Sequence, residues 1–302
     1  MEGVVAKSTG SWYTVWLNDG SHITCRLRGK FRLQKSSLTN PIAVGDYVQV
    51  DVSNREEAVI TEIKHRENYL MRKATKSSSQ FQIVASNVDQ AIVIATDVAP
   101  RTSTGFIDRF LVTCAQYDID PIIIFNKSDL VIDQEALAAK VSVYQNAGYH
   151  VLQTSFIADE LDDNVLDLFA GKTTLLFGHS GVGKSTLLNR IIPDASQDVG
   201  VISEQHQKGK HTTTFAQMFE VAKGSRIIDT PGVKEFGLEE MEHWKLGHYF
   251  KEFKPYIELC KYNTCIHQNE PKCGVIAAFV EGHISEFRYE NYLNMLDDLQ
   301  SE

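Results

Sequence analysis

The sequence predicts an α/β protein in three parts, on three observations. Short β-branched segments separated by turn residues fill about the first 65 residues, apolar runs alternate with helical stretches from Asn87 onward, and three cysteines with one histidine crowd into residues 260–273. The divisions fall at 1–70 for an N-terminal OB-type β-barrel, 71–85 for a linker, 86–236 for a domain with a mainly parallel sheet, and 237–302 for a helical C-terminal domain.

In the barrel, Trp12–Leu17, His22–Leu27, Asp46–Val52 and Ala58–Ile63 alternate as half-buried strands do, and Asn18-Asp19-Gly20, Gly29-Lys30 and Ser53-Asn54 supply the turns. About five short strands in so little chain fit a closed barrel, most economically of the OB type. Residues 1–80 hold 12 Lys and Arg against 8 Asp and Glu, and the remainder 18 against 31, so the net charge of −9 hides a basic end. There Arg26, Arg28, Lys30, Arg32 and Lys35, with Phe31 among them, suit a groove that follows a phosphate backbone and stacks a base. A solvated face is the plainer reading of such a run. Arg72, Lys73 and Lys76 extend it into Ser77-Ser78-Ser79, whose composition reads as a domain boundary.

From Asn87, apolar runs at Ala91–Ala95, Ile122–Phe125, Thr174–Phe177 and Arg226–Ile228 alternate with helical stretches at Ile107–Tyr117, Gln134–Asn146, Val165–Phe169 and Ser185–Ile192. This is the rhythm of βαβ units, whose ligands bind at the carboxyl ends of the strands. At one such end stands Gly178-His179-Ser180-Gly181-Val182-Gly183-Lys184-Ser185, followed by Thr186. Glycines there let backbone N–H groups approach phosphate oxygens, the following helix adds its dipole, Lys184 reaches the outer phosphates and Ser185 can ligate Mg.

The base is read elsewhere. Asn126-Lys127-Ser128-Asp129 follows the apolar run ending at Phe125. A carboxylate at Asp129 accepts from the N1 and N2 groups of guanine, which adenine does not offer, and Asn126 is expected to read the other edge of the base. Thr154-Ser155 sits where a backbone N–H can meet the guanine oxygen. Asp229-Thr230-Pro231-Gly232 puts a carboxylate near Mg and an N–H, that of Gly232, near a γ-phosphate. Between these motifs, Lys208 to Thr214 is polar and aperiodic; one of Thr212, Thr213 and Thr214 closes on Mg, and Thr213 is the choice made here. The usual order of such motifs begins with the phosphate loop. Here the base-reading motifs precede it, so the P-loop domain is circularly permuted.

Cys260, Cys265, His267 and Cys273 follow a C-x4-C-x-H-x5-C spacing, matching a closed tetrahedral site for one structural Zn. Cys25 and Cys114 lie in apolar surroundings and read as inert. Met241–Leu259 and Ala277–Leu299 read as amphipathic helices, with Trp244, Tyr249, Phe250 and Phe253 as core aromatics. No apolar run approaches membrane-spanning length, and the start lacks a targeting pattern, so a cytoplasmic protein is expected.

A β-barrel, then NKSD, TS, GHSGVGKS, HTTT and DTPG in permuted order, then Cys-Cys-His-Cys, resembles the RsgA family, the small ribosomal subunit biogenesis GTPases of bacteria. The resemblance spans nearly the whole chain. It implies a circularly permuted P-loop GTPase domain between an OB barrel and a zinc-binding domain, binding to the small ribosomal subunit and its rRNA, and GTP hydrolysis to GDP stimulated by that subunit. It implies Asn126, Lys127 and Asp129 for guanine, Gly178 and Gly181 to Thr186 for phosphates, and Ser185, Thr213 and Asp229 for Mg. A monomer is expected. Where Ras-like enzymes place a water-orienting Gln, this chain has Val233, which neither accepts nor donates. His211 is then the candidate to position the water, alongside Lys184 and Thr213 as catalytic residues. Gly181 stands where potassium-assisted GTPases place Asn. The segment Gly232 to Glu240 is the expected link between nucleotide and C-terminal domain. Two rival readings stay open: a permuted GTPase acting on another RNA or protein, and a scaffold that holds GTP without hydrolysing it.

Overall fold

A computed structural model describes residues 1–29, 38–53, 58–74, 77–158, 160–192, 216–222, 224–230, 238 and 241–301. Alternation drives the first part. In β2 (Tyr13–Leu17), Tyr13, Val15 and Leu17 turn inward against Val5 of β1 (Glu2–Ser8), Cys25 of β3 (His22–Leu27), Val48 and Val50 of β4 (Tyr47–Asp51) and Ile60 of β5 (Ala58–Ile63). The order β1-β2-β3-β5-β4 closes through β1–β4, with β3 and β5 parallel. That is the OB-type barrel the alternation predicted.

The stretch expected as a linker is ordered instead. β6 (Tyr69–Ala74) and β7 (Ser77–Ser86) form an antiparallel hairpin, so the serines open a strand rather than a flexible boundary. A buried carboxylate pins the hairpin to the barrel. Asp46 accepts from Arg66 through Nε at 2.6 Å and Nη2 at 2.7 Å, and from the Ser86 hydroxyl at 2.6 Å.

The central sheet runs β10 (His150–Gln153), β9 (Asp120–Phe125), β8 (Gln90–Ala95), β11 (Thr173–Phe177), β13 (Ser225–Asp229), β12 (Gln217–Ala222). The first five are parallel, and the continuous apolar runs of β8, β9 and β11 reflect burial on both faces. β12, which the sequence reading passed over, is antiparallel and meets β1 at Lys7–Gln217, joining the sheet to the barrel. Helices α1 (Thr104–Gln116), α2 (Gln134–Asn146), α3 (Asp163–Asp167) and α4 (Lys184–Ile191) lie where the helical stretches were expected, with Ser103 and Asp133 capping α1 and α2 through their side chains.

Beyond residue 241 the two expected long helices are broken. The first is a series of short 3-10 turns at His243–Tyr249 and Lys251–Phe253, then one α turn at Lys254–Ile257. Gly247 explains part of this, since a Cβ there would meet the His267 ring at 2.8 Å, and tight winding lets Phe250 and Phe253 both bury. The second divides into α5 (Gly274–Val280) and α6 (Glu286–Ser301), separated at Gly282, whose φ of +79° ends a helix readily. Cys25 and Cys114 are buried; burial pushes the Cys25 thiol up to about 12, consistent with inert packing residues.

Candidate nucleotide site and metal cluster

The phosphate loop leaves the fully buried strand β11 at Gly178. Its φ of +143° and the 2.5 Å that would separate a Cβ from the Ile94 carbonyl demand glycine. Gly183, at φ +110°, opens α4, and a Cβ there would lie 2.3 Å from the Asn126 amide nitrogen. Lys184 folds back over the loop, donating from Nζ to the carbonyls of Gly178 and, at 2.9 Å, His179. Burial holds its amine below the ordinary lysine range, and the Asp229 carboxylate offsets part of that. Asp229 arrives at the end of β13, in register with Leu176, while the Thr230 hydroxyl donates to the Leu176 carbonyl at 3.1 Å. The loop, Lys184, Ser185 and Asp229 therefore converge at the carboxyl ends of two adjacent parallel strands.

The base-reading loop reaches the same place from the other side. In Asn126-Lys127-Ser128-Asp129, Asn126 is buried and both polar atoms of its amide bond within the protein: Nδ2 donates to the Val182 carbonyl at 2.7 Å and Oδ1 accepts from the Phe156 N–H at 2.9 Å. Whatever it offers a base, this amide also joins the phosphate loop to the segment after β10. Lys127, at φ +62°, lays Nζ on the Ala99 carbonyl at 3.0 Å, and Asp129 stands exposed in a single 3-10 turn. The parallel pairing of β9 with β10 sets Thr154 beside Asn126, and Thr154 closes the corner by donating its N–H to Phe125 and accepting from the Ser128 N–H. Thr154 and Ser155 thus flank the loop that carries Asp129.

Some predicted residues lie outside the described residues: His211, Thr212, Thr213, Thr214, Gly232 and Val233 of the switch segments, and Lys30, Phe31, Arg32 and Lys35 of the basic cluster. Arg26 and Arg28 are placed. They line a cleft of about 670 Å³ with Trp12, Asp51 and Thr61, and the Arg26 guanidinium lies 4.0 Å above the ring of half-exposed Trp12. Trp12 was missed as a site residue because it reads as the start of a strand; the basic residue on the neighbouring strand, Arg26, was the available signal.

The ligand atoms of Cys260, Cys265, His267 and Cys273 all lie within 4.8 Å of one another. Cys260 Sγ stands 3.7 Å from Cys273 Sγ and 3.6 Å from His267 Nδ1, which is 3.3 Å from Cys273 Sγ. A tetrahedron with metal–sulfur arms of about 2.3 Å has edges of about 3.8 Å, so the cluster has the dimensions of a Zn site. Backbone N–H groups of Gly274 and Ile276 point at Cys260 and Cys273, as they would toward thiolates. Burial drives the Cys265 thiol well above its usual range and the His267 imidazole down to about 4, so the ring is neutral, as a ligand must be. The loop is fixed from outside: Tyr289 and Tyr292 of α6 donate to the carbonyls of His267 and Ile266 at 2.7 and 2.6 Å. Glu270 accepts from the N–H groups of Ile266, Gln268 and Asn269.

Comparison with known proteins matches the first two parts by family model and nearly the whole chain by relatives. Family models described as the RsgA N-terminal domain and the RsgA GTPase match residues 2–60 and 63–239. A small ribosomal subunit biogenesis GTPase RsgA of Phocaeicola vulgatus is 48% identical over 99% of this chain and 97% of its own, and that of Christiangramia forsetii is 45% identical over 98% and 96%. Among solved structures, YjeQ from Thermotoga maritima aligns over 100% of this chain and 99% of its own, at 32% identity and a TM-score of 0.77. YloQ, described as a circularly permuted GTPase, aligns over 99% and 95% at 32% identity and 0.74.

Proposed function

The chain belongs to the RsgA family of GTPases, and from that premise we propose how its residues carry out the activity. It hydrolyses GTP to GDP and phosphate, and its role lies in maturation of the small ribosomal subunit. The observation that most supports our site assignment is the Asn126–Val182 hydrogen bond, which brings a guanine-reading loop and a phosphate loop together despite their inverted order.

In this reading Asp129 receives the guanine N1 and N2 donors, and the backbone at Thr154-Ser155 meets the guanine oxygen. Lys127 lays its stem along the base. Gly178, Gly181, Val182, Gly183 and Thr186 present N–H groups to the phosphates, and Lys184 neutralises their charge as bonds to the leaving oxygen lengthen. Ser185 and Asp229, with Thr213, would hold Mg, which supplies positive charge over the phosphate oxygens. Gly232 contributes an N–H to the γ-phosphate. Val233 cannot orient water, so His211 takes that part once the subunit docks, and slow turnover is expected of the free protein. Cys260, Cys265, His267 and Cys273 would hold one Zn with a purely structural role.

The Trp12–Arg26 cleft and the metal-bearing domain are the surfaces we assign to rRNA, with the protein acting as a cytoplasmic monomer. Among the described residues, no helix is long and apolar enough to cross a membrane. Residues 232–240 join the switch to the C-terminal domain in sequence and offer one route from γ-phosphate to RNA contact. The test is single-turnover GTP hydrolysis with mature small subunits, immature small subunits and no particle. The proposal expects stimulation by the particle that is lost in His211→Ala; equal rates in all three conditions would contradict it.

A further inference from the structure

Helix α1 begins against the phosphate loop. The Phe106 ring lies 4.1 Å, centroid to centroid, from that of His179, and Phe110 meets Phe177, the residue before the loop, edge-on at 5.5 Å. His179 is the residue of the loop to which the phosphate chemistry gave no task. Its carbonyl shares the Lys184 amine with that of Gly178, so phosphates arriving at Lys184 act directly on the segment that carries the His179 ring.

Within one turn of Phe106 the same helix is gripped from the C-terminal domain. Asp108 is fully buried; its Oδ1 lies 2.5 Å from Arg288 Nη1 and accepts from the Tyr144 hydroxyl at 2.8 Å, while Oδ2 accepts from Asn291 at 2.7 Å. Arg288, itself 1% exposed, also donates to both carboxylate oxygens of Glu252, at 2.5 and 3.1 Å. Arg109 pairs with Asp298 on the same helix face. In α6 the residues divide by neighbour: Arg288 and Asn291 hold α1, while Tyr289 and Tyr292, each one residue on, hold the carbonyls of the metal loop.

We infer that the first turns of α1 are a coupling element between phosphate loop and C-terminal domain, with His179 as the positioning residue on the nucleotide side, against Phe106, and the Asp108–Arg288–Asn291 cluster two residues further along. This rests on the nucleotide site proposed above, and it supplies a route of packed contacts from the half-buried rings of Phe106 and His179 to the buried Asp108–Arg288 pair. A helical turn gripped by the loop through Phe106 and by α6 through Asp108 cannot relax independently of either, so a shift of the loop is felt at α6.

The test is deuterium uptake by residues 286–296 of the full, zinc-loaded chain with and without GDP. GDP is expected to slow uptake there by at least about fivefold, the lower end of typical coupling between sites. Phe106→Ala, which still binds GDP, and His179→Ala return the ratio to about one. If Phe106→Ala does not fold, Phe106→Leu keeps most of the volume and removes the ring. Because coupling runs in both directions, Asn291→Ala is expected to weaken GDP binding. Uptake indifferent to GDP in the wild type, or a ratio unchanged in the Phe106 variants, overturns the inference. Failure of the wild type to bind GDP overturns the nucleotide reading first, which separates the two failures.

Discussion

The Asn126 side chain donates to the Val182 carbonyl at 2.7 Å, across fifty-six residues of sequence. One buried amide thereby holds together the two loops that must address the two ends of a nucleotide. Removing it leaves the Val182 carbonyl and the Phe156 N–H unpaired, at about 1–3 kcal/mol each for buried groups. Asn126→Ala is expected to lower both unfolding free energy and GDP affinity, measured by urea titration and calorimetry. Affinity unchanged in a folded variant would show that the two loops do not form one site.

Gly183→Ala is expected to be more selective. The new methyl would fall 2.3 Å from Asn126 Nδ2 at a φ of +110°, so the Asn126 bridge and the start of α4 must give way. GDP binding is lost while far-UV circular dichroism stays close to that of the wild type.

Arg288 sits between two carboxylates in a dry environment. Burial works against its charge, and Asp108 and Glu252 more than reverse that, holding the guanidinium above the ordinary arginine range. Arg288→Ala deprives buried Asp108 and Glu252 of their shared cation, and breaking a buried ion pair from one side costs about 3–5 kcal/mol. Denaturant unfolding measures it; a loss within the roughly 0.5 kcal/mol of a surface substitution would mean that the cluster is solvated.

Metal content and pH test the C-terminal cluster. One Zn per chain is expected by elemental analysis, falling to none in Cys273→Ala. His267 has a folded value near 4 against 6.5 unfolded, because burial disfavours the charged ring. Below pH 6.5 the unfolded chain therefore binds a proton that the folded chain resists, and stability falls as pH drops from about 6.5 toward 4. Protons compete with the metal in the same direction. Chelator-resistant Zn at pH 4 would contradict this.

The chemistry-bearing spacings were legible because their meaning is local. A phosphate loop, Asn126 to Asp129 and the four metal ligands can be found without knowing what packs on them. Three other features needed tertiary partners. Asn126 reads as a base contact alone until Val182 and Phe156 are seen to bond its amide as well. Arg288 reads as a solvated charge on an amphipathic helix until Asp108 arrives from a segment 180 residues away. Ser77–Ser79 reads as linker by composition, and only the pairing with Tyr69–Ala74 makes it a strand.

The central claim is that loops in permuted order form one guanine nucleotide site. Calorimetric titration of the wild type and Asp129→Asn with GDP, ADP and xanthosine diphosphate tests it most directly. The account predicts a GDP preference over ADP of at least about a hundredfold, as a site built to hydrogen-bond the guanine donors imposes on a base that lacks them. It also predicts a switch toward xanthosine diphosphate in Asp129→Asn. Equal affinity for GDP and ADP, or a variant whose preference is unmoved, would contradict it.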